Sequence, residues 1–234
     1  MGWVEGAEAM RSPGSRNRRR SLNLADVKRA LPLLLAAALA LPTIAATPRL
    51  RPANWAEPLV ETSLDNAYRV SADLYRCEQP QTEDIADLKA LGVKSILNLR
   101  NFHSDSEEFA KAGFTLLAKP MNAGEVTEDL LVAALRDFRD APKPVVVHCW
   151  HGSDRTGVFV AAYRIVFQGW TPEAASDEFR NGGYGFHKKW YPNLVELLSK
   201  LDAEALRKRV LDKAGADSSA SPATPAPAAT KAQN

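Results

Sequence analysis

A chain of 234 residues that is 45% hydrophobic and 25% charged has the make-up of one globular domain with tails, long enough to bury a core. Its formal net charge of +2 is too small to imply a nucleic-acid partner, and much of the basic excess lies in one N-terminal cluster, Arg16 to Arg20. Two cysteines cannot build a disulfide framework, so a role for Cys149 is sought in chemistry before structure.

In chain order, Lys28 and Arg29 precede an apolar stretch from Leu31 to about Leu41, closed by Pro42 and small residues. This reads as a secretory signal peptide over residues 1–46, cleaved near Ala45 or Ala46, which would leave the mature protein periplasmic or secreted. The apolar run is shorter than the roughly 18–20 residues a membrane span requires; the alternative is an uncleaved segment that anchors the chain, the one case in which the membrane is a partner. Arg19-Arg20-Ser21-Leu22 is similar to a twin-arginine signal but lies well upstream of the apolar run, which leaves the export route open.

A single folded domain is expected over residues 54–211. "YRVSADLYRCEQP" alternates in the manner of two short strands, and Thr82 is read as the cap of a helix whose apolar positions Ile85, Leu88 and Leu91 end at Gly92. "VKSILNLR" reads as a buried strand, "SDSEEFAKAG" as a short helix and "FTLLAKP" as a strand. Thr127 then caps "EDLLVAALRDFRD", which places Leu130, Leu131, Ala134, Leu135 and Phe138 on one face. After a strand at Val145 to His148 come a largely apolar helix ending near Gly169, a helix capped by Thr171 with Pro172 in its first turn, and a last helix from about Pro192. Strands alternating with helices indicate an α/β domain with helices on both faces of a sheet. Residues 212–234 are rich in Ala, Pro, Ser and Thr without apolar periodicity, and read as a disordered tail.

The chemistry concentrates where the Val145–His148 strand gives way to the apolar helix. Ligands of such sheets sit beyond the carboxyl ends of strands, where a following helix points its N-terminus at them. The segment Trp150, His151, Gly152, Ser153, Asp154, Arg155 can curl so that its backbone N–H groups converge on an anion, with Gly152 supplying the unusual backbone dihedrals. A cysteine at the centre of such dipoles favours the thiolate, which is the nucleophilic form. Arg155 adds a planar fork for two oxygens of one phosphoryl group, and Thr156 a hydroxyl to steady the sulfur as a leaving group. His148 is read as ordering the loop by hydrogen bonding. Zinc is disfavoured because His148, Cys149 and His151 stand too close together to share one tetrahedral ion, and no metal or organic cofactor is expected. An inert buried cysteine, a persulfide-carrying sulfurtransferase loop and a phosphate-binding module without turnover remain as alternative readings.

"HCWHGSDRTG" resembles the His-Cys-x5-Arg-Thr-Gly signature of the cysteine-based protein tyrosine phosphatases. The flanking "YRCEQP", "LNLR" and "AAYRIVFQGW" are similar to the compact TpbA-like group of exported bacterial dual-specificity phosphatases. The resemblance covers roughly residues 68–184. It implies the compact tyrosine/dual-specificity phosphatase fold with a central, mostly parallel sheet. It also implies a phosphocysteine on Cys149 and phosphate held by residues 150–155. The expected substrate is a phosphoprotein, phosphotyrosine first, with the exposed domain of a membrane protein as one form of it. An inositol phosphate is the alternative, disfavoured because the loop holds Asp154 and no Lys. The resemblance further sets the strand before Cys77 close to the phosphate loop, where Cys77 would be able to trap an oxidised Cys149 as a disulfide, its other reading being a small buried residue. The aspartate that these phosphatases use as general acid has no direct counterpart in "KPMNAGEVTED"; Gly124 stands at its position, which makes Glu125 the candidate, with Asp105, Asp129 or no dedicated acid as alternatives.

Overall fold

The computed structural model describes residues 51–212; the expected signal segment and nearly all of the expected tail lie outside them. Six strands form one sheet: β1 Glu57–Pro58, β2 Tyr68–Arg69, β3 Leu74–Cys77, β4 Ser95–Arg100, β5 Thr115–Met121 and β6 Val145–His148, in the order β1-β2-β3-β6-β4-β5. The short β1, β2 and β3 pair antiparallel, whereas β3, β6, β4 and β5 run parallel. The sheet is thus mixed and mostly parallel, as expected.

Seven helices connect and cover it: α1 Ile85–Ala90, entered through a 3-10 turn at Thr82–Asp84; α2 Glu107–Lys111; α3 Glu128–Asp140; α4 Asp154–Gln168; α5 Pro172–Asn181; α6 Pro192–Lys200; and α7 Ala203–Leu211. Side chains alternate across a strand, so β4 sends Leu97 and Leu99 to one face and Ile96 to the other, and β6 divides Val145 and Val147 from Val146. The first face packs against Leu131 and Leu135 of α3, Phe159 and Ile165 of α4, Leu194 of α6 and Leu206 of α7. The second face, with Tyr75 and Cys77, is covered by Leu88 of α1 and Phe109 of α2. Because both faces are buried, the parallel strands carry continuous apolar runs.

Local chemistry sets the helix boundaries. The Thr127 hydroxyl accepts from the Leu130 N–H at 3.3 Å and the Thr171 hydroxyl from the Ala174 N–H at 3.2 Å, while Gly169 closes α4 in the left-handed region at φ 70°. Thr82 is not the cap of its helix. It is the first residue of the 3-10 turn, and the flanking Gln81 gives its N–H to the Asp84 carboxylate at 2.7 Å. The single last helix expected from Pro192 is two: Asp202 accepts from the Glu204 and Ala205 N–H groups at 2.9 Å each and starts α7 afresh.

A buried ion pair joins α4 to α5. Arg164 Nε and Nη2 donate to the two Glu178 oxygens at 2.7 and 2.8 Å, and Glu178 Oε1 also accepts from the Ala56 N–H at 2.6 Å and the Tyr184 hydroxyl at 2.9 Å. Arg164 spends a further bond on the Val70 carbonyl at 3.2 Å, so the pair ties both helices to the start of the domain. Removing one partner leaves the other charge uncompensated in the interior. Glu178→Ala is therefore expected to lower stability by about 3–5 kcal/mol, read as a fall in the urea midpoint with the transition slope unchanged.

Candidate active site

The loop from Cys149 to Ser153 lies where β6 ends and α4 begins, flanked by the carboxyl ends of β3 and β4. Three of its successive carbonyls are bound from outside the loop. Gln79 donates its backbone N–H to the Trp150 carbonyl at 3.0 Å, Asn66 Nδ2 donates to that of His151 at 2.7 Å, and Arg76 Nη2 to that of Gly152 at 2.5 Å. In a trans peptide the N–H points opposite the C=O, so anchoring these carbonyls outward turns the N–H groups of His151, Gly152 and Ser153 to the concave side of the loop. Those N–H groups donate to nothing among the described residues.

Gly152 is required twice over at this point. Its φ is 67°, and a Cβ there would stand 2.5 Å from the Cys77 carbonyl oxygen and 2.8 Å from the Glu78 nitrogen. Arg76, whose carbonyl contact seats the loop on β3, is 1% exposed; its guanidinium lies 3.7 Å over the Tyr184 ring, and its Nε and Nη1 have no partner among the described residues. Burial pulls its pKa down, against the opposing pull of Tyr184, Glu178 and Cys149. No role was read for Arg76, Gln79 or Asn66 from the sequence, although the first two stand in "YRCEQP".

Beneath the loop, the fully buried His148 sets Nε2 at 3.2 Å from the Asp105 carboxylate and Nδ1 at 3.2 Å from the Cys149 carbonyl. Asp105 also accepts from Gln79 Nε2 and Asn98 Nδ2, each at 3.1 Å. Burial alone would push its carboxyl up, but the hydrogen bonds from His148 and Gln79 hold it below its ordinary value. His148 is thus held in place beneath the loop, and Asp105 is committed to three donors.

Cys149 is 2% exposed, and Arg155, on the first turn of α4, directs Nη1 to Asn101 Oδ1 at 3.2 Å and the Met121 carbonyl at 3.4 Å. The Thr156 hydroxyl is fully buried and has no hydrogen-bond partner among the described residues. Asp154 turns aside: its carboxylate accepts from the His187 backbone N–H at 2.9 Å and pairs with His187 Nδ1 at 2.8 Å. With its carboxylate held by His187, Asp154 does not set a free charge against a polyanionic ligand. His151 is exposed, its ring 5.7 Å from that of His187. Trp150 is 54% exposed, with the Arg100 guanidinium 4.3 Å over its ring.

The remaining candidates separate clearly. Glu125 ends a single 3-10 turn, Ala123–Glu125, that follows Met121 and so stands on the Arg155 side of the loop; its exposed carboxylate has no partner among the described residues. Asp129 is paired with Arg209 on the surface. Cys77 and Cys149 are both free and buried, and Cys77 aligns with His148 in the sheet. The two thiols belong to different apolar clusters, and burial pushes the Cys77 thiol well up.

Residues 70–169 match the family described as polymorphic toxin system, DSP-PTPase phosphatase. The chain is 38% identical over 143 residues to the dual specificity protein phosphatase TpbA of Pseudomonas aeruginosa, the match covering 60% of this chain and 64% of that relative. It therefore spans less than two thirds of that curated relative's length. The crystal structure of P. aeruginosa TpbA as a cysteine-to-serine variant in complex with pTyr is similar at 33% identity with a TM-score of 0.62, covering 68% of this chain and 98% of that one. Inositol diphosphatase DSP3 of Arabidopsis thaliana is 26% identical over 156 residues, 62% of this chain and 74% of that relative.

The Asp105 support carries a pH signature. A carboxyl held below its ordinary value in the fold contributes stability that is complete above its unfolded pKa, about 3.9, and is lost as pH falls through the folded value. Asp105→Asn removes this contribution. The urea midpoints of native protein and variant are expected to differ at neutral pH and to converge as the pH falls below about 4.

Proposed function

We propose, on the basis that this chain belongs to the DSP-PTPase family of cysteine-dependent phosphatases, that it hydrolyses phosphate monoesters on proteins, phosphotyrosine before phosphoserine and phosphothreonine. The observation that carries the reading is a cysteine at the floor of a loop whose carbonyls are tied outward, with a guanidinium on the next helical turn.

In this reading the Cys149 thiolate attacks phosphorus on the side opposite the leaving oxygen, and the S–P bond forms as the ester P–O bond breaks. The three non-bridging oxygens lie among the N–H groups of His151, Gly152 and Ser153 and the Arg155 fork, donors fixed in place before charge develops. Glu125 gives a proton to the leaving oxygen. Its carboxylate then takes a proton from the water that attacks the phosphocysteine, releasing inorganic phosphate and the thiolate. The Thr156 hydroxyl steadies the departing sulfur. Of the three carboxyls weighed as acid, Glu125 alone is uncommitted, Asp105 being held by His148 and Asp129 by Arg209.

The pTyr complex of the TpbA variant supports phosphotyrosine as first substrate, and the half-exposed Trp150 gives the loop an aromatic rim. An inositol phosphate is the second reading, favoured by the withdrawal of Asp154 onto His187. We also read residues 1–46 as an export signal, which would put the enzyme opposite phosphoproteins outside the cytosol; full-length protein with Met1 intact in the cytosolic fraction would overturn that.

Turnover of para-nitrophenyl phosphate is expected to fall by orders of magnitude in Cys149→Ser and in Arg155→Lys, both still folded by circular dichroism. Near-native turnover in Cys149→Ser refutes the mechanism. Glu125→Gln should slow phosphoserine peptides about 10²- to 10⁴-fold while sparing esters with good leaving groups, and should remove the basic limb of the pH profile. If both the limb and the leaving-group dependence stay unchanged, Glu125 is not the acid.

A further inference from the structure

The loop that leaves β4 touches the phosphate cradle and its support at two points and folds back on β4 at a third. Asn101 accepts from Arg155, Asp105 from His148, and the His103 carbonyl from Asn98 Nδ2 at 3.2 Å. Between these anchors Phe102 is fully exposed and held at φ 57°, a conformation costly for an aromatic residue and tolerated where the neighbours over-determine it. Arg100, at the end of β4, stacks on Trp150 and gives one hydrogen bond, from Nη1 to Gln79 Oε1 at 3.2 Å; its Nε and Nη2 donate to nothing among the described residues.

Beside Arg100 opens a recess of about 340 Å³ whose walls include Gln79, Gln81, Thr82, His103 and Ser104. No carboxylate lines it. Of the acids on the elements around it, Asp105 is engaged by His148, Gln79 and Asn98, and Asp84 by the Gln81 N–H at 2.7 Å and the Ser63 hydroxyl at 2.5 Å, while the exposed Glu83 and Glu108 sit at its rim, accepting from the Thr82 hydroxyl at 3.3 Å and from the Ser106 hydroxyl. Partial burial and Arg100 hold His103 below its ordinary value, so at neutral pH Arg100 carries the recess's positive charge. A single phosphoryl group is served by Arg155 and the loop N–H groups. The second guanidinium, fixed over the rim tryptophan and facing a hollow of hydroxyls and amides, has no carboxylate within hydrogen-bond reach among the described residues; Cys149 and Asp105 act on it only at longer range, against Arg155.

We propose that this recess is a subsite for a second anionic group of the substrate, the carboxylate of an acidic residue flanking the phosphotyrosine, with Arg100 as the residue that selects it. The proposal rests on the protein-phosphatase reading and narrows its substrate class to phosphopeptides with acidic neighbours. Phe102 and Trp150 supply the apolar edges along which such a peptide would lie.

The test compares kcat/KM on two phosphotyrosine peptides that differ only in Glu or Gln beside the phosphotyrosine, with para-nitrophenyl phosphate as a third substrate. The acidic peptide is expected to be preferred about fivefold, the scale of one part-exposed ion pair, with the preference shrinking as salt rises. In Arg100→Gln the ratio should fall to near one. The ratio is taken within each protein, so a general loss of turnover cancels. Gln81→Glu, which puts a carboxylate into the recess wall, should turn the preference toward the neutral peptide, and it serves if Arg100→Gln does not fold. Equal turnover of the two peptides by native protein, or a preference that survives both substitutions, overturns the subsite. So does faster turnover of an inositol polyphosphate, lost in Arg100→Gln, with no discrimination between the peptides. Failure of native protein to turn over any of the three substrates strikes the phosphatase reading itself.

Discussion

Three consecutive carbonyls, those of Trp150, His151 and Gly152, are pulled outward by Gln79, Asn66 and Arg76, and the site depends on those three contacts. A loop of this length has no regular hydrogen bonding of its own, and left to itself would satisfy its N–H groups internally or with water. Fixing the carbonyls removes that choice, and the N–H groups face the hollow whether or not an anion is present. The same contacts explain Gly152. The loop is drawn so close to the end of β3 that a side chain at this position would overlap the backbone at Cys77.

The cost of this arrangement is a buried guanidinium. Arg76 has one strong acceptor, and its remaining charge is met by the face of the Tyr184 ring and by neighbouring groups of opposite sign. Tyr184 is in turn fixed by its hydroxyl on Glu178, the carboxylate that pairs with Arg164, and its pKa is pushed well above the usual phenol range by burial first and Glu178 second. The ion pair that joins α4 to α5 and the cation that seats the loop are therefore parts of one polar network inside the larger apolar cluster. A second network, His148 with Asp105, Gln79 and Asn98, supports the loop from the sheet. Gln79 joins this second network to the loop, through its backbone to Trp150 and through its side chain to Asp105 and Arg100.

The reaction centre was legible in the sequence because its parts are local: cysteine, glycine, arginine and the helix start fall within seven residues, and the chemistry dictates their spacing. The parallel strands and the Thr127 and Thr171 caps were legible for the same reason. What holds the centre in place was not. Asn66 and His151 are 85 residues apart and Arg76 and Gly152 are 76 apart, and such contacts leave no periodicity to read. Asp154 looked like a charge in the loop until His187, 33 residues on, was seen to claim it. Asp105 resembled a loop acid because nothing nearby in the chain announces that His148 lies against it. The break between α6 and α7 had a local signal, Asp202 two residues before a Glu, but it was masked by the helix-forming residues on either side.

The sheet's margins carry a consequence for how copies of this chain can meet. β1 is two residues long and includes Pro58, and β5, which among the described residues pairs only with β4, includes Lys119 and Pro120, the lysine tied to Asp137 of α3 at 3.0 Å. A proline has no N–H to offer, so neither rim presents an unbroken row of donors for a strand from another molecule to zip onto. Edge extension is disfavoured at both margins of the described sheet.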